Sequence, residues 1–527
     1  MLSHSYRRYA FLCLLVLLAA LRPALAQVQA PALPVGPLTI DQVLELAELR
    51  SESIALAQAG VRRAEGEEVR AFSGRYPQVS LAASYDRSLA SEFDGVFDTS
   101  AVGGGDGTDG EDNAFEDLPF GRANTWRLSL SLNQNLYSGG RLGAQAAVAA
   151  AGREAATLGV TTARAQLLYD VTQAYYDAAL SDRLVSIAEA SLEQAGATLT
   201  QTQAGFDAGT QPEFEVLRAR VNRDSQTPLI IRQRVNREVA LMRLKQMLDL
   251  PQDYDLRLAD ALADDRLAPS PVFAQRIAAV ETRIQAGTPV TPVSLQPDAA
   301  VPLRTAVTEV ATNVRLREAS LELAEAQGRP SVSLNSTYSR IAYPTNGVPL
   351  FDRSNWTVGA SLNLPILTGG RQRGDEQVAR AELEQSRVQL RQVEELAALD
   401  SRSALAELQA ALSAWEATSG TVQQAARAYE IADVRYRAGV STQLELSDSR
   451  LLLQQAETNR VQAARDLQIA RARLALLPDL PVSGTTVTPR LQQLLQPQAL
   501  PQQRLPAAGG DIRSASTQNG SAQVGTR

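Results

Sequence analysis

Four landmarks of this chain recur at one fixed offset. Trp126 returns as Trp356, Asn133 as Asn363, Gly139-Gly140-Arg141 as Gly369-Gly370-Arg371, and Ala208-Gly209 as Ala438-Gly439, the separation along the chain being the same in every pair. A constant offset over this span gives the segments between landmarks equal length, as a rigid element whose reach matters would require. The chain therefore reads as an internal tandem repeat, and any fold proposed for it must be built twice.

Between the glycine pair and the Ala-Gly landmark lies an unbroken helical pattern. From about Arg141 to Phe206 there is no proline, and Leu167, Val171, Ala174, Ala178, Ser181, Val185, Ala188, Leu192, Ala195 and Leu199 fall at alternating spacings of four and three. Such a stripe is a coiled-coil seam. Its counterpart, Gln372 to Arg437, carries Leu405, Leu408, Leu412, Trp415, Ser419, Val422, Ala426 and Tyr429 on the same rhythm. At 1.5 Å per residue each predicted helix reaches about 100 Å. Shorter helices, about Thr39–Ser73 and about Pro212–Leu248, flank the first one and together match its length, as two short helices stacked beside one long helix would. The second repeat begins with a shorter helix, about Leu303–Gln327.

Four other segments alternate with period two. Val79, Leu81, Ala83 and Tyr85 oppose Ser80, Ala82, Ser84 and Asp86; Trp126, Leu128, Leu130 and Leu132 oppose Arg127, Ser129, Ser131 and Asn133. In the second repeat Val332, Leu334, Ser336 and Tyr338 oppose Ser331, Ser333, Asn335 and Thr337, and Trp356, Val358, Ala360 and Leu362 oppose Thr357, Gly359, Ser361 and Asn363. Each segment has about the length of a tilted strand crossing a bilayer, apolar side chains outward. Half-buried strands of a soluble sheet would alternate too, but the aromatics near the segment ends (Tyr76, Tyr85, Trp126, Tyr137, Tyr338, Trp356) resemble interfacial girdles. Four strands cannot close a barrel, and an open edge in lipid would leave backbone groups unsatisfied, so the chain must oligomerise. Two copies would close a small plugged barrel of eight strands, and three would close twelve strands around a usable lumen.

The first 26 residues read as a secretory signal: Arg7 and Arg8, an apolar run from Ala10 to Leu21, then Ala24-Leu25-Ala26 before Gln27. Cys13 lacks the small residues that precede a lipidated cysteine, so no lipid anchor is expected. Removing the signal takes away the only Cys and the only His, His4, and moves the net charge of −7 to about −10. Thiol nucleophiles, imidazole bases, disulfides and the usual zinc sites are then out of reach, and no cofactor motif is present, which argues against an enzyme. The acidic balance argues against nucleic acid as a partner. The basic residues, nearly all Arg with Lys245 the single Lys, interleave with Asp and Glu as on a solvated helix face.

These readings divide the chain into a signal (1–26), repeat one (27–250, strand hairpin 76–137), a proline-rich linker (251–302) forming a partly structured belt, repeat two (303–480, strand hairpin 329–367), and a disordered tail (481–527). The first hairpin is much the longer, Tyr76-Pro77 to Trp126 against Arg329-Pro330 to Trp356. Its excess, within 91–117, holds Asp94, Asp98, Asp106, Asp109, Glu111, Asp112, Glu116 and Asp117. It lacks the alternating acids of a calcium loop and reads as an acidic surface loop.

The signal, the duplicated hairpin and long-helix units, Tyr-Ser-Gly-Gly-Arg after the second strand, Thr-Gly-Gly-Arg after the fourth, and Tyr436-Arg437-Ala438-Gly439 at the helix turn resemble the TolC family of outer-membrane efflux proteins over about Leu38 to Leu477. The resemblance implies an α+β membrane protein of the cell outer membrane. Three chains would contribute four transmembrane strands each to a trimeric 12-stranded β-barrel, and their coiled-coil helices would form a periplasmic α-helical barrel. It further implies an export channel without catalytic residues, serving drug efflux or type I protein secretion. Its partners would be a periplasmic adaptor, an inner-membrane pump driven by protons or ATP, and outer-membrane lipid. A periplasmic coiled-coil scaffold or adaptor would not need four strands with aromatic ends, and a general porin would not need helices of about 100 Å.

The family closes its tunnel tip with a tyrosine and an aspartate from neighbouring helix pairs, and rings the lumen with acids six and nine residues after the turn glycine. By resemblance the ring falls on Glu445 and Asp448, the tyrosine on Tyr436 and its partner on Glu215, with glutamate replacing aspartate at Glu445 and Glu215. A second family pair, arginine with threonine, maps to Ser441 and Phe214 and is lost or replaced. The turns Gly209-Thr210 and Gly439-Val440-Ser441 would meet the adaptor. A local reading competes: Thr442-Gln443-Leu444-Glu445 fits a capping box, while Pro212, Glu213 and Glu215 suit a first helical turn.

Overall fold

A computed structural model describes residues 36–89, 124–259, 262, 267–285, 304–343, 351 and 353–482. The signal segment, the acidic insert, most of the expected tail, part of the linker and Leu303 at the start of repeat two lie outside the described residues. In chain order the elements are α1 (Ile40–Arg50), α2 (Glu52–Ser73), β1 (Gln78–Arg87), β2 (Asn124–Tyr137), α3 (Arg141–Asp207), α4 (Glu213–Met247), α5 (Pro271–Gln285), α6 (Thr305–Ala326), β3 (Ser331–Ala342), β4 (Arg353–Asn363), α7 (Arg371–Arg437) and α8 (Gln443–Leu476).

The long helices α3 and α7 have 67 residues each, about 100 Å at the α-helical rise. Both start after a glycine pair at positive φ, 62° and 92° at Gly139-Gly140 and 61° and 90° at Gly369-Gly370. Glycine reaches this left-handed backbone without steric penalty, so the pair turns the chain sharply from strand to helix. α4 and α8 keep the repeat offset, Glu213 opening one and Gln443 the other.

The expected helix Thr39–Ser73 is instead two helices. Thr39 starts α1 with a complete capping box to Gln42, but Ser51 is extended (ψ 121°) and its hydroxyl caps the N–H of Ile54 at 3.4 Å. A serine that can satisfy a free helix-start amide competes with continuing the helix, and here it wins. The break lets α1 fold into the central core while α2 follows α3. The seam of α3 is buried or half-buried throughout, whereas the seam of α7 departs from expectation at one residue. Ala426 is exposed and Ala425 half-buried, because near its end α7 turns its buried side toward α3 through Tyr436.

Nearest the sheet, helices pack in the order α2, α3, α6, α7; toward the other end, α4 lies on α3 and α8 lies between α3 and α7. The apolar core sits midway, where α1, α5 and the segment after α4 wrap the long helices with Val43, Leu244, Leu248, Ile277, Leu408 and Leu467 fully buried. Leu38 and Leu258 form a parallel bridge over this core, and the Tyr175 hydroxyl lies 3.2 Å from the carbonyls of Leu38 and Ala259. Arg471, buried, reaches Glu281 of α5 at 2.6 Å and the Leu267 carbonyl at 2.5 Å.

The strands form one antiparallel sheet in the order β1-β2-β3-β4. Register brings the apolar sides together: Val79, Leu81, Ala83 and Tyr85 oppose Leu132, Leu130, Leu128 and Trp126, and Val332, Leu334 and Tyr338 oppose Leu362, Ala360 and Trp356. Tyr85 packs on Trp126 with ring centroids 4.8 Å apart. A bulge at Asn135/Tyr137 brings Tyr137 opposite Val332, on the apolar face, while Tyr76 stands exposed just before β1. On the other face Ser80 bonds Ser131 at 2.8 Å and Ser333 bonds Ser361 at 2.7 Å. β4 stops at Asn363, short of Pro365, whose repeat counterpart Asn135 still lies within β2. Proline has no N–H for the ladder. Among the described residues, β1 and β4 each keep one unpaired edge. No described helix is long and apolar enough to cross a membrane.

Candidate functional site

At the end remote from the sheet, both long helices stop in the same way. Gly209 and Gly439 take φ 73° and 72°. Thr210 and Val440 donate their N–H to the carbonyls of Gly205 and Arg435 at 2.8 and 2.9 Å, and Gly209 and Gly439 donate to Phe206 and Tyr436 at 2.8 and 3.0 Å. This six-to-one and five-to-two pairing satisfies the last helical carbonyls and needs the left-handed glycine. The turns themselves are exposed at Gly209, Thr210, Gly439 and Val440.

Behind the turns a small core of Tyr436, Ala432 and Leu446, with Tyr429 against it, joins α7 to α8. The buried Tyr436 hydroxyl lies 2.8 Å from Thr202 Oγ1 on α3. Thr202 already donates to the Thr198 carbonyl at 2.8 Å, so Tyr436 is the donor across the helices. The expected pairing of Tyr436 with Glu215 is thus replaced by Tyr436 with Thr202. Glu215 is engaged elsewhere: it lies 3.6 Å from Arg218, and it accepts from Gln443. In the orientation its neighbours require, the buried Gln443 amide donates to Glu215 Oε2 at 2.7 Å and to the Glu215 carbonyl at 3.1 Å, and accepts from the Ala219 N–H at 3.1 Å. Asn222 donates to Ser447 Oγ at 3.0 Å. Three polar ties therefore join the α3/α4 hairpin to the α7/α8 hairpin.

Electrostatics follow from burial here. Desolvation holds the Arg450 guanidinium below its ordinary range, partly offset by Tyr429. Desolvation also raises the Tyr429 hydroxyl, with Asp433 adding to the rise.

The two expected ring acids behave differently. Glu445 takes up half of the capping box, its N–H bonding Thr442 Oγ1 at 3.4 Å, but its carboxylate turns away to meet Arg435 at 2.9 Å. Asp448, one turn further along α8, is exposed, with no charged partner among the described residues. Ser441 Oγ is buried without a hydrogen bond in this chain, and Phe214 is exposed beneath Arg218, whose guanidinium carbon lies 4.6 Å from its ring centroid. Five members of the cluster, Thr202, Asn222, Arg435, Gln443 and Ser447, were not singled out in the sequence as site residues. Thr202 alone left a signal, a polar residue three past Leu199 on the α3 seam, facing a seam tyrosine.

The comparisons with known proteins bear on this architecture as a whole. The family model described as outer membrane efflux protein matches residues 43–249 and 297–477. The chain belongs to this family. It is 27% identical over 444 residues to the pyoverdine export outer membrane protein OpmQ of Pseudomonas putida, covering 83% of this chain and 84% of that one. It is 25% identical over 359 residues to nodulation protein T of Rhizobium leguminosarum bv. trifolii, covering 67% of each. Among solved structures, its fold is similar to the Campylobacter jejuni CmeC outer membrane channel (TM-score 0.64, 17% identity, 84% of this chain and 86% of that one). It is also similar to the outer membrane protein VceC of Vibrio cholerae (TM-score 0.62, 20% identity, 83% and 96%). The protein is an outer-membrane efflux channel, in a family of channels rather than of enzymes. The scaffold and general-porin alternatives fall away.

Proposed function

We propose that three copies of this chain close, β4 of one protomer against β1 of the next, into a twelve-stranded barrel in the outer membrane continued by a periplasmic tunnel of helices. One observation carries the reading: a sheet with one apolar face and two unpaired edges. Such a sheet is unstable in lipid until its edges are closed. The outermost helices support it, because exposed Leu56 and Val69 on α2, Val221 and Ile231 on α4, and Val378, Val388 and Leu399 on α7 leave apolar side chains for a neighbour to cover. The exposed tip turns, with Val440 and Leu444, suit a periplasmic adaptor that couples the tunnel to an inner-membrane pump. The role involves no chemical conversion of cargo. The relative named for pyoverdine export favours a small exported molecule over a protein.

Light scattering of detergent-extracted protein is expected to give a trimer that conducts in planar bilayers. A stable, non-conducting monomer would remove the barrel.

In the closed tip Glu445 is balanced by Arg435, which leaves Asp448 as the uncompensated acid, three copies around the tunnel end. Asp448→Asn is therefore expected to lower cation preference more than Glu445→Gln, and Arg435→Ala to raise it by releasing Glu445. Reversal potentials in a salt gradient measure all three; identical values for Asp448→Asn and the native channel would place Asp448 outside the conduction path.

A further inference from the structure

Every passage between helix and strand in this chain carries arginine and no acid. Counting the first turn of each long helix, the passages are 74–77, 138–143, 327–330 and 364–373, and their charged residues are Arg75, Arg141, Arg329, Arg371 and Arg373. All five are exposed, and none meets a carboxylate among the described residues. Arg329 Nη1 donates to the Gly139 carbonyl at 3.3 Å, and the Arg75 guanidinium carbon lies 5.0 Å from the Phe72 ring centroid. The acids of the two adjoining helical turns are mostly engaged further from the sheet. Glu67 meets Arg63 at 3.2 Å, Glu68 meets Arg153 at 3.3 Å, and Glu325 and Glu376 share Arg380 at 3.8 and 3.5 Å. Glu322 and Asp375 remain, and Asp375, four residues past Arg371 on α7, offsets part of the charge. Arginine in a first helical turn also opposes the helix dipole, which favours acids there, yet neither long helix opens with an acid. No contact within the chain accounts for Arg141, Arg371 and Arg373.

On the sheet side of these arginines lies an apolar rim. Tyr76, Tyr137, Leu364, Ile366 and Leu367 are all exposed, the last two at 90% and 92%. Leu364 continues the alternation of Trp356, Val358, Ala360 and Leu362, and Tyr137 stands opposite Val332, so the rim is continuous with the apolar face of the sheet. From sheet to helices the surface therefore runs apolar face, aromatic and aliphatic rim, cations.

We infer that the five arginines form a belt that binds the phosphates of anionic phospholipids in the leaflet nearer the helices, and so fixes the depth at which the barrel sits. The inference rests on the trimeric barrel proposed above, in which the apolar sheet face meets lipid. A leaflet presents tails, then interface, then phosphate, the same order in which this surface presents its apolar face, rim and cations. An arginine stem lies along apolar surface while its guanidinium reaches the headgroup level, where its planar fork bonds a phosphate with two N–H groups at once. Each cation close to an anionic lipid surface strengthens binding by about fivefold. Because all four passages of each chain carry one or more of the five, the three-fold assembly would surround the barrel with them.

Native mass spectrometry of the detergent-extracted channel, given equal amounts of phosphatidylglycerol and phosphatidylcholine, tests the belt. Native trimers are expected to retain phosphatidylglycerol in preference by about tenfold or more. Arg75→Gln/Arg141→Gln/Arg371→Gln/Arg373→Gln should remove most of that preference while the same spectra still show trimers; Arg329 stays native because it also ties the turn at Gly139. The corresponding four-lysine variant should keep part of the preference, since lysine supplies the charge without the fork, and Asp375→Asn should raise it. Native trimers that retain both lipids equally, or glutamine-variant trimers as selective as native, overturn the belt and leave the barrel standing. A glutamine variant with unchanged lipid preference but a reversal potential shifted in neutral bilayers also overturns it, because its arginines would then line the lumen. A native protein that gives no trimer overturns the barrel reading instead.

Discussion

Asp400→Ala is expected to destabilise the protein by about 3–5 kcal/mol, the loss typical of breaking a buried ion pair from one side. The carboxylate sits in α7 with almost no solvent exposure and is held by two arginines, Arg304 Nη1 at 2.7 Å and Arg473 Nη2 at 2.8 Å. Arg304, itself nearly buried, also reaches the carbonyls of Ala397 and Leu480 at 3.3 Å, so it pins the start of α6 to α7 and to the segment after α8. Thr305 completes the junction, its N–H bonding the Pro478 carbonyl and its hydroxyl Asp479, both at 2.9 Å. Removing the carboxylate leaves the Arg304 charge buried without its acid, whereas Arg473 keeps Glu407. The loss should therefore appear as a lower denaturation midpoint in detergent, and replacing Asp400 and Arg304 together with apolar residues should recover much of it. A loss below about 1 kcal/mol for the single variant would mean that Arg304 finds water or another acceptor when Asp400 is gone.

This junction also marks where sequence reading stops. The glycine pairs located both starts of the long helices, and the Ala-Gly turns located both ends, because left-handed backbone singles out glycine without reference to any partner. Strand alternation likewise fixed which side chains share a face, and the register follows that pattern across all four strands. Contacts between distant segments left little trace. Asp170 and Asp400 stand one repeat offset apart at equivalent places in α3 and α7, yet one has Gln166 beside it and its carboxyl is raised by burial, while the other is clamped by two arginines. Ser51 looked like any helix residue until its hydroxyl turned back on Ile54. Glu445 fitted a capping box from spacing alone, but whether its carboxylate bonds its own helix start or Arg435 depends on how the α7–α8 turn is closed. Family resemblance fared no better at Tyr436, since its partner is set by the rotation of α7 against α3.

In the proposed trimer the tip should respond to small losses, because three-fold symmetry would repeat each of them. Tyr436→Phe removes one donor while Thr202 keeps its bond to the Thr198 carbonyl, so no buried group is newly orphaned and the loss per protomer is about 1 kcal/mol. If the α7/α8 hairpins of three protomers open together, these losses sum to roughly 3 kcal/mol, or about two decades in the open-to-closed ratio. Gln443→Ala should act more strongly, because it strips the Glu215 carboxylate and the Glu215 carbonyl of a donor at once. Both variants are expected to raise mean conductance and open probability in bilayers while leaving the trimer and its denaturation midpoint nearly unchanged, since the central core is untouched. Thr202→Val supplies the reciprocal check: combined with Tyr436→Phe it should add little, as two ends of one bond do. If the double variant opens the channel by the product of the single effects, Tyr436 and Thr202 act independently, and the tie between the hairpins must be sought at Gln443 alone.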